Sequence, residues 1–153
     1  MQRVKHAKLI SDGFTSEIGF GVLAFVGVSK NDTIFDVNYL ANKIAHLRMF
    51  DDENDKTNLS LLDVKADIMI VSNFTLQADT KKGFRPDFFG AGQKEMANYF
   101  YEKLIAKVKE YGLKVEHGNF GHEMNITTDL FGPFTLMLES EGRNSEWKTG
   151  IFI

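Results

Sequence analysis

The sequence predicts an α/β chain of the α+β, two-layer kind, with a mixed or mostly antiparallel sheet beneath two main helices. Three observations lead there. Ile68-Met69-Ile70-Val71 is an unbroken apolar run without charge, the pattern of a strand buried on both faces near the middle of a sheet. Two separate segments repeat apolar residues at helical spacing. The order of segments is strands, helix, strand, helix, strands, which one sheet and one helical layer accommodate.

Taken in order, residues 1–11 set Val4, Leu9 and Ile10 among basic residues and read as a short edge strand or two strand fragments. Ser11-Asp12-Gly13 is a turn signal, and residues 15–18 form a brief strand. Residues 22–28 predict a central strand entered through Gly19-Phe20-Gly21. Asn31 or Asp32 then caps a helix whose stripe is Ile34, Val37, Leu40, Ile44 and Leu47. Residues 51–58 are polar enough to be a loop, and Leu59, Leu61 and Leu62 bring the chain back to the core.

After the apolar run, Ser72 and Asn73 interrupt and Phe74-Thr75-Leu76 resumes strand-like character. A buried hydroxyl or amide without a partner costs about 1–3 kcal/mol. The two polar groups therefore either bond to neighbouring backbone or line a cleft. Residues 80–87 are basic and punctuated by Gly83 and Pro86. They form either a solvated connection or a contact for a phosphate backbone. The second helix spans residues 93–111 on the stripe Met96, Phe100, Leu104 and Val108, and stops at Gly112. Strands follow from Val115, over residues 124–128 and over residues 135–138, with Phe131-Gly132-Pro133-Phe134 interrupting the last two. Helices can cover only one face of such a sheet, so the other calls for a cover, and a second copy of the chain is the economical one.

The chain of 153 residues suits one domain, placed at residues 1–139 with a tail at 140–153. It has no cysteine, which excludes disulfides, thiolate nucleophiles and Cys-ligated zinc. Neither a signal peptide nor a membrane-spanning run is visible, so a cytoplasmic location and no membrane partner are expected. A formal charge of −3 argues against indiscriminate nucleic-acid coating but permits a local basic patch. His6, His46, His117 and His122 follow no metal-ligand spacing, so no metal or other cofactor is expected. Ser72 and Thr75 have no base identifiable in sequence, and a lone hydroxyl is a poor nucleophile at neutral pH. An enzyme with this inventory would position a substrate and a water and would stabilise an oxyanion with backbone N–H groups. Such a site suits an activated ester.

Several motifs then occur together. Ser72-Asn73-Phe74-Thr75-Leu76 resembles the SQFTL motif of the D-aminoacyl-tRNA deacylases, formerly called D-tyrosyl-tRNA deacylases. The segment from Ala78-Asp79-Thr80 to Gly83-Phe84-Arg85-Pro86 is similar to that family's A-D-T-x-K-G-x-R-P, and Gly121 and Met124 fit its F-G-x-x-M. The NxGPVT motif falls on Leu130-Phe131-Gly132-Pro133-Phe134-Thr135. The resemblance runs from Gln2-Arg3-Val4 to about Glu139. Asn73 stands where the family has glutamine and Leu130 where it has asparagine, while Phe131 and Phe134 are bulkier than usual.

The resemblance implies a homodimer with active sites at the subunit interface. A cis Gly132-Pro133 bond would enter the partner's pocket and exclude L-amino acids, and Arg3 would support that loop. Thr75, Ser72, Gly132 and Pro133 would form the catalytic centre. Asn73, Phe74, Leu76, Arg3, Met124, Leu130, Phe131, Lys82 and Arg85 would hold the substrate, the 3′ end of an aminoacyl-tRNA. The implied reaction is hydrolysis of the D-aminoacyl ester, assisted largely by the RNA's 2′-hydroxyl and by backbone groups. Two other functions fit the residues. One is a non-catalytic homodimer that binds tRNA, DNA or a protein. The other is a deacylase for a different small acyl ester.

Overall fold

The computed structural model describes residues 1–140. Its six-stranded mixed sheet is built around β1 (Gln2–Ser11), which is no edge strand: it carries a partner on each side. One edge pairs antiparallel with β8 (Asn125–Thr135). The other pairs with β2 (Phe14–Ile18) and then, in unchanged register, with β3 (Gly21–Val26). β2 and β3 are thus one long strand interrupted at Gly19-Phe20, and with β1 they form a hairpin turned at Asp12-Gly13. Both turn residues have positive φ, 39° and 77°, the conformation that a tight turn demands and that Asp and Gly tolerate.

β6 (Asp67–Ser72) lies parallel to β3, and β7 (Val115–His117) lies parallel to β6. The four residues Ile68 to Val71 are 0–1% exposed, as the apolar run predicts. Their alternation sends Ile68 and Ile70 to one face and Met69 and Val71 to the other. The first pair packs beneath α1 (Ile34–His46) and α3 (Lys94–Glu110) with Ala41, Ile44, Leu104 and Val108.

The cover of the second face differs from expectation. Met69 and Val71 are buried against Val4, Ala7, Leu9 and Ile18 of the same chain. The sheet curls until β2 meets β7: Ser16 donates to Glu116 at 3.2 Å, and the Phe14 and His117 rings stack at 5.6 Å. A strongly twisted sheet can bury its second face against its own hairpin, so no second copy is needed to cover it.

Local chemistry explains the remaining differences. The cap of α1 is Thr33, not Asn31 or Asp32; the Asp36 carboxylate accepts from both the N–H and the hydroxyl of Thr33 at 2.8 Å. Residues 51–58, expected as a loop, instead close a hairpin of β4 (Arg48–Asp51) and β5 (Thr57–Ser60), with the Asp52 carboxylate accepting N–H groups from Asn54 and Lys56 across its tip. These bonds hold the Asp52 carboxyl below its usual range. The short helix α2 (Leu61–Val64) follows, opened by Ser60 and Asp63. Phe74-Thr75-Leu76 is not strand but a 3-10 turn, Phe74–Gln77. β8 runs through Gly132-Pro133 and ends at Thr135, so the expected strand over residues 135–138 is absent, although Leu136 still exchanges backbone bonds with Met1. Beyond residue 140 the expected tail lies outside the described residues. No helix among the described residues is long and apolar enough to cross a membrane.

Gly21 marks the tightest point of the β3–β6 pairing. A Cβ there would stand 1.9 Å from the Asp67 carbonyl oxygen, which is backbone and cannot swing away. Gly21→Ala should destabilise the fold by about 3 kcal/mol through forced separation of the two strands, as read from the midpoint of urea unfolding.

Candidate active site

The end of β6 builds the site. The Asn73 N–H still bonds the Val26 carbonyl at 2.8 Å, extending the β3–β6 ladder by one step. The chain then turns: Leu76 N–H donates to Asn73 and Ala78 N–H to Thr75. The first two amides of such a turn have no partner within it; those of Phe74 and Thr75 donate to no group among the described residues. The Asn73 side chain, instead of lining up with the strand, accepts a 2.6 Å hydrogen bond from the Thr75 hydroxyl. Thr75 therefore faces an amide oxygen, which has no useful basicity, rather than a base.

A cavity of about 510 Å³ opens beside this turn. Ser72, Asn73, Phe74 and Met124 line it, four residues expected at the site. Val26, Val28 and Ala97 make its floor apolar, and Ala91-Gly92 forms one wall. That wall is tied down by the Gly92 N–H, which donates to Val28 at 2.8 Å. Sequence reasoning missed Lys94, Tyr101, Phe120 and His122, which also line the cavity. His122, which fits no metal-ligand spacing, lines the cavity and bonds Asp12 through its Nδ1 at 2.9 Å. The one signal that could have found Phe120 and His122 was their place within the F-G-x-x-M motif, as its first and third positions.

Tyr101 anchors the cavity floor to the sheet. Its hydroxyl donates to the Ile70 carbonyl at 2.7 Å and accepts the Gly118 N–H at 3.0 Å. Burial pushes its phenol up to about 12.

The other expected residues lie elsewhere. Between Gln2 and Val4 on β1 stands Arg3 alone, whereas between their partners Thr135 and Leu130 on β8 stand Phe131, Gly132, Pro133 and Phe134. The surplus forms a bulge. Its Gly132-Pro133 peptide is cis, as the resemblance implies, and both residues are exposed. Gly132 has φ 123°, and a Cβ there would crowd the Phe134 nitrogen at 2.9 Å.

Arg3 holds the bulge. Its Nε donates to the Phe131 carbonyl at 3.3 Å, and its guanidinium lies 4.7 Å from the Phe131 ring centroid and 5.0 Å from that of Phe134. Its Nη1 donates to Met49 and Asp51 at 3.0 and 3.1 Å. Phe131 and Phe134 thus pack on their own chain and do not line the cavity. Leu130 is exposed beside them.

Within one chain the two halves do not meet. Gly132, on β8, sits beside Arg3, which pairs with Val22, while Ser72 lies three strands away on β6, opposite Val26 of β3. At about 4.8 Å between strands and 3.3 Å per residue, the separation measured along the sheet surface is roughly 20 Å. Lys82 and Arg85 are exposed in the loop after the turn, and Leu76 is exposed on it. Among the described residues no group of three or more His, Asp and Glu is placed to hold a metal ion.

The family profile described as D-Tyr-tRNA(Tyr) deacylase matches residues 1–139. The chain belongs to that family. Proteins named D-aminoacyl-tRNA deacylase are similar to it along most of their length. That of Thermosipho africanus is 46% identical over 142 residues, covering 92% of this chain and 95% of its own. That of Clostridium beijerinckii is 44% identical with the same coverage. Among solved structures, one titled c-Myc DNA Unwinding Element Binding Protein is 35% identical with a TM-score of 0.84, covering 91% of this chain and 95% of its own. A probable eukaryotic D-amino acid tRNA deacylase shares the deacylase fold at 16% identity and a TM-score of 0.78, with 86% and 92% covered.

Two outcomes are expected in this deacylase-family chain. A phenol titrating near 12 when folded and near 10 when unfolded stabilises the fold fully below pH ~10 and loses that contribution as pH rises towards 12. Tyr101→Phe should therefore flatten the alkaline limb of stability against pH and remove the last tyrosinate absorbance step. Arg3→Met should cost about 2–3 kcal/mol in urea unfolding, because it removes charge-assisted bonds and leaves the Met49 carbonyl buried without its donor.

Proposed function

We propose that this chain hydrolyses the ester of D-aminoacyl-tRNA, releasing free D-amino acid and tRNA, in a cytoplasmic homodimer whose active sites each combine two copies. The observation that carries the reading is the separation of the halves. An exposed, Arg3-braced Gly132-Pro133 bulge and a turn that runs from half-buried Ser72 and Asn73 to exposed Phe74 and Thr75 stand roughly 20 Å apart along the sheet surface. Two copies related by a two-fold axis bring one element to the other twice.

In the proposed site, the terminal adenosine enters the cavity floored by Val26 and Val28, and the ester carbonyl lies over the turn. Water adds to that carbonyl, forming a C–O bond and placing the charge on the carbonyl oxygen. The N–H groups of Phe74 and Thr75, which donate to no group among the described residues, donate to that oxyanion. The C–O bond to the ribose then breaks, and the proton lost by the water ends on the ribose oxygen, shuttled by the neighbouring 2′-hydroxyl. Thr75 positions the turn through Asn73 and does not attack. The partner's Gly132-Pro133 backbone fills the space into which an L-side chain would project, so chirality is set by exclusion.

A second reading is non-catalytic nucleic-acid binding by the same dimer. It is supported by the 35% identical structure whose title names DNA unwinding element binding.

Purified protein should release D-tyrosine from D-tyrosyl-tRNA while sparing L-tyrosyl-tRNA by about a hundredfold or more, with glycyl-tRNA assayed in parallel. Binding without release from any of the three would favour the second reading. Mixing an inactive Phe74→Ala variant with an inactive Gly132→Val variant should restore part of the activity, because a mixed dimer holds one intact site. No recovery after subunit exchange would mean that each site lies within a single chain.

A further inference from the structure

The loop that follows the turn carries Phe84, a residue to which neither the family resemblance nor the ester-hydrolysis site assigns a role. Phe84 is 109% exposed, more than an extended chain would leave it, and it stands between Lys82 and Arg85. An apolar ring held in water next to two cations has no role in folding this chain. Among the described residues, Lys82 and Arg85 make no ion pair or hydrogen bond.

The loop is nevertheless anchored at its base. Asp79 and Asp87 exchange backbone hydrogen bonds of 2.8 and 2.9 Å, closing residues 80–86 into a narrow tongue. The Asp79 carboxylate accepts the Lys81 N–H and the Asp87 carboxylate accepts the Phe89 N–H, fixing both ends. Gly83, at φ 67°, makes the turn at its tip. The tongue is also continuous with the cavity: Phe88 packs edge-on against Phe74 at 5.0 Å, and Phe74 lines the cavity wall.

Exposed aromatics interleaved with cations are the elements of a single-strand platform, because bases stack on the ring while phosphates meet the charges. In a chain of net charge −3, such a local basic cluster is a deliberate departure from the rest of the surface. We propose that residues 80–87 form a platform for the single-stranded nucleotides preceding the terminal adenosine of the tRNA, with Phe84 stacking on a base and Lys82 and Arg85 contacting phosphates. The inference rests on the tRNA partner proposed above and extends that site along the strand.

The test uses the full chain and a fluorescently labelled RNA oligonucleotide of sequence ACCA, with binding read by anisotropy. Phe84→Ala should weaken binding by about 5- to 150-fold, the loss of one base–aromatic stack, and Phe84→Trp should retain it. Lys82→Ala and Arg85→Ala should each reduce the salt dependence by about 0.7 in log–log slope, the value for one phosphate contact on a single strand. Removal of so exposed a ring should leave thermal unfolding unchanged.

Hydrolysis separates this inference from the previous one. Phe84→Ala should lower kcat/KM for D-tyrosyl-tRNA yet leave release from D-tyrosyl-adenosine unaltered, since the latter has no upstream nucleotides. If neither ester is hydrolysed but oligonucleotide binding still depends on Phe84, the hydrolase reading fails and the platform stands. Unchanged oligonucleotide binding in Phe84→Ala, or no binding by the unmodified protein, overturns the platform. Dissociation of the dimer by Phe84→Ala in sedimentation also overturns it, because the tongue would then be an interface between copies.

Discussion

Burial of β6 on both faces is the constraint on which the rest of this structure depends. Ile68, Ile70, Met69 and Val71 leave no polar or solvent-facing side, so each face needs its own cover. Two helices supply one, and the curled β1–β2 hairpin supplies the other. At about 25 cal/mol per Å² of apolar surface removed from water, such a strand contributes several kcal/mol to stability. Its rigidity also matters for chemistry. Ser72 ends the strand and Asn73 bonds back to Val26, so the turn carrying Phe74 and Thr75 starts from a fixed point.

The second organising interaction is the Arg3 guanidinium. It satisfies carbonyls on two separate segments and provides a cationic face for two phenylalanines. A three-residue excess in one strand would otherwise be free to rearrange. Buried and multiply bonded, Arg3 converts that excess into a defined projection. The Asp51 partner comes from the β4–β5 hairpin, which links the bulge to a part of the chain that otherwise has little to do with the site.

The two elements project from places that one chain cannot bring together. This geometry, rather than an uncovered sheet face, is the argument for a site shared between copies. The expectation of a partner thus survives as a proposal although its original premise does not: the premise treated the sheet as flat, and the sheet curls. Chemistry without a side-chain base fits the same picture. The Thr75 hydroxyl is occupied by Asn73, and the oxyanion donors of the proposed reaction are backbone amides, whose placement depends on the turn and not on side-chain identity.

The sequence alone determined what local periodicity and turn chemistry can encode. The doubly apolar run made β6 a central strand, the two helical stripes placed α1 and α3 to within a few residues, and Asp12-Gly13 placed the first turn. The ordered motifs also marked the Ser72 turn, the F-G-x-x-M segment and the Gly132-Pro133 bulge. Tertiary structure decided everything that depends on partners distant in sequence. β1 looked like an edge because its central position comes from pairing with β8, over a hundred residues away. Residues 51–58 looked like a loop because polar side chains, not an apolar pattern, close that hairpin. Phe74-Thr75-Leu76 looked like strand because β-like composition persists where backbone bonding has already turned to i→i+3. Tyr101, Phe120 and His122 reached the cavity through helix packing and a loop crossing, neither of which leaves a periodic trace. A strand's core is written in its own residues, whereas a site is written in the register between strands and the bend of the sheet that carries them.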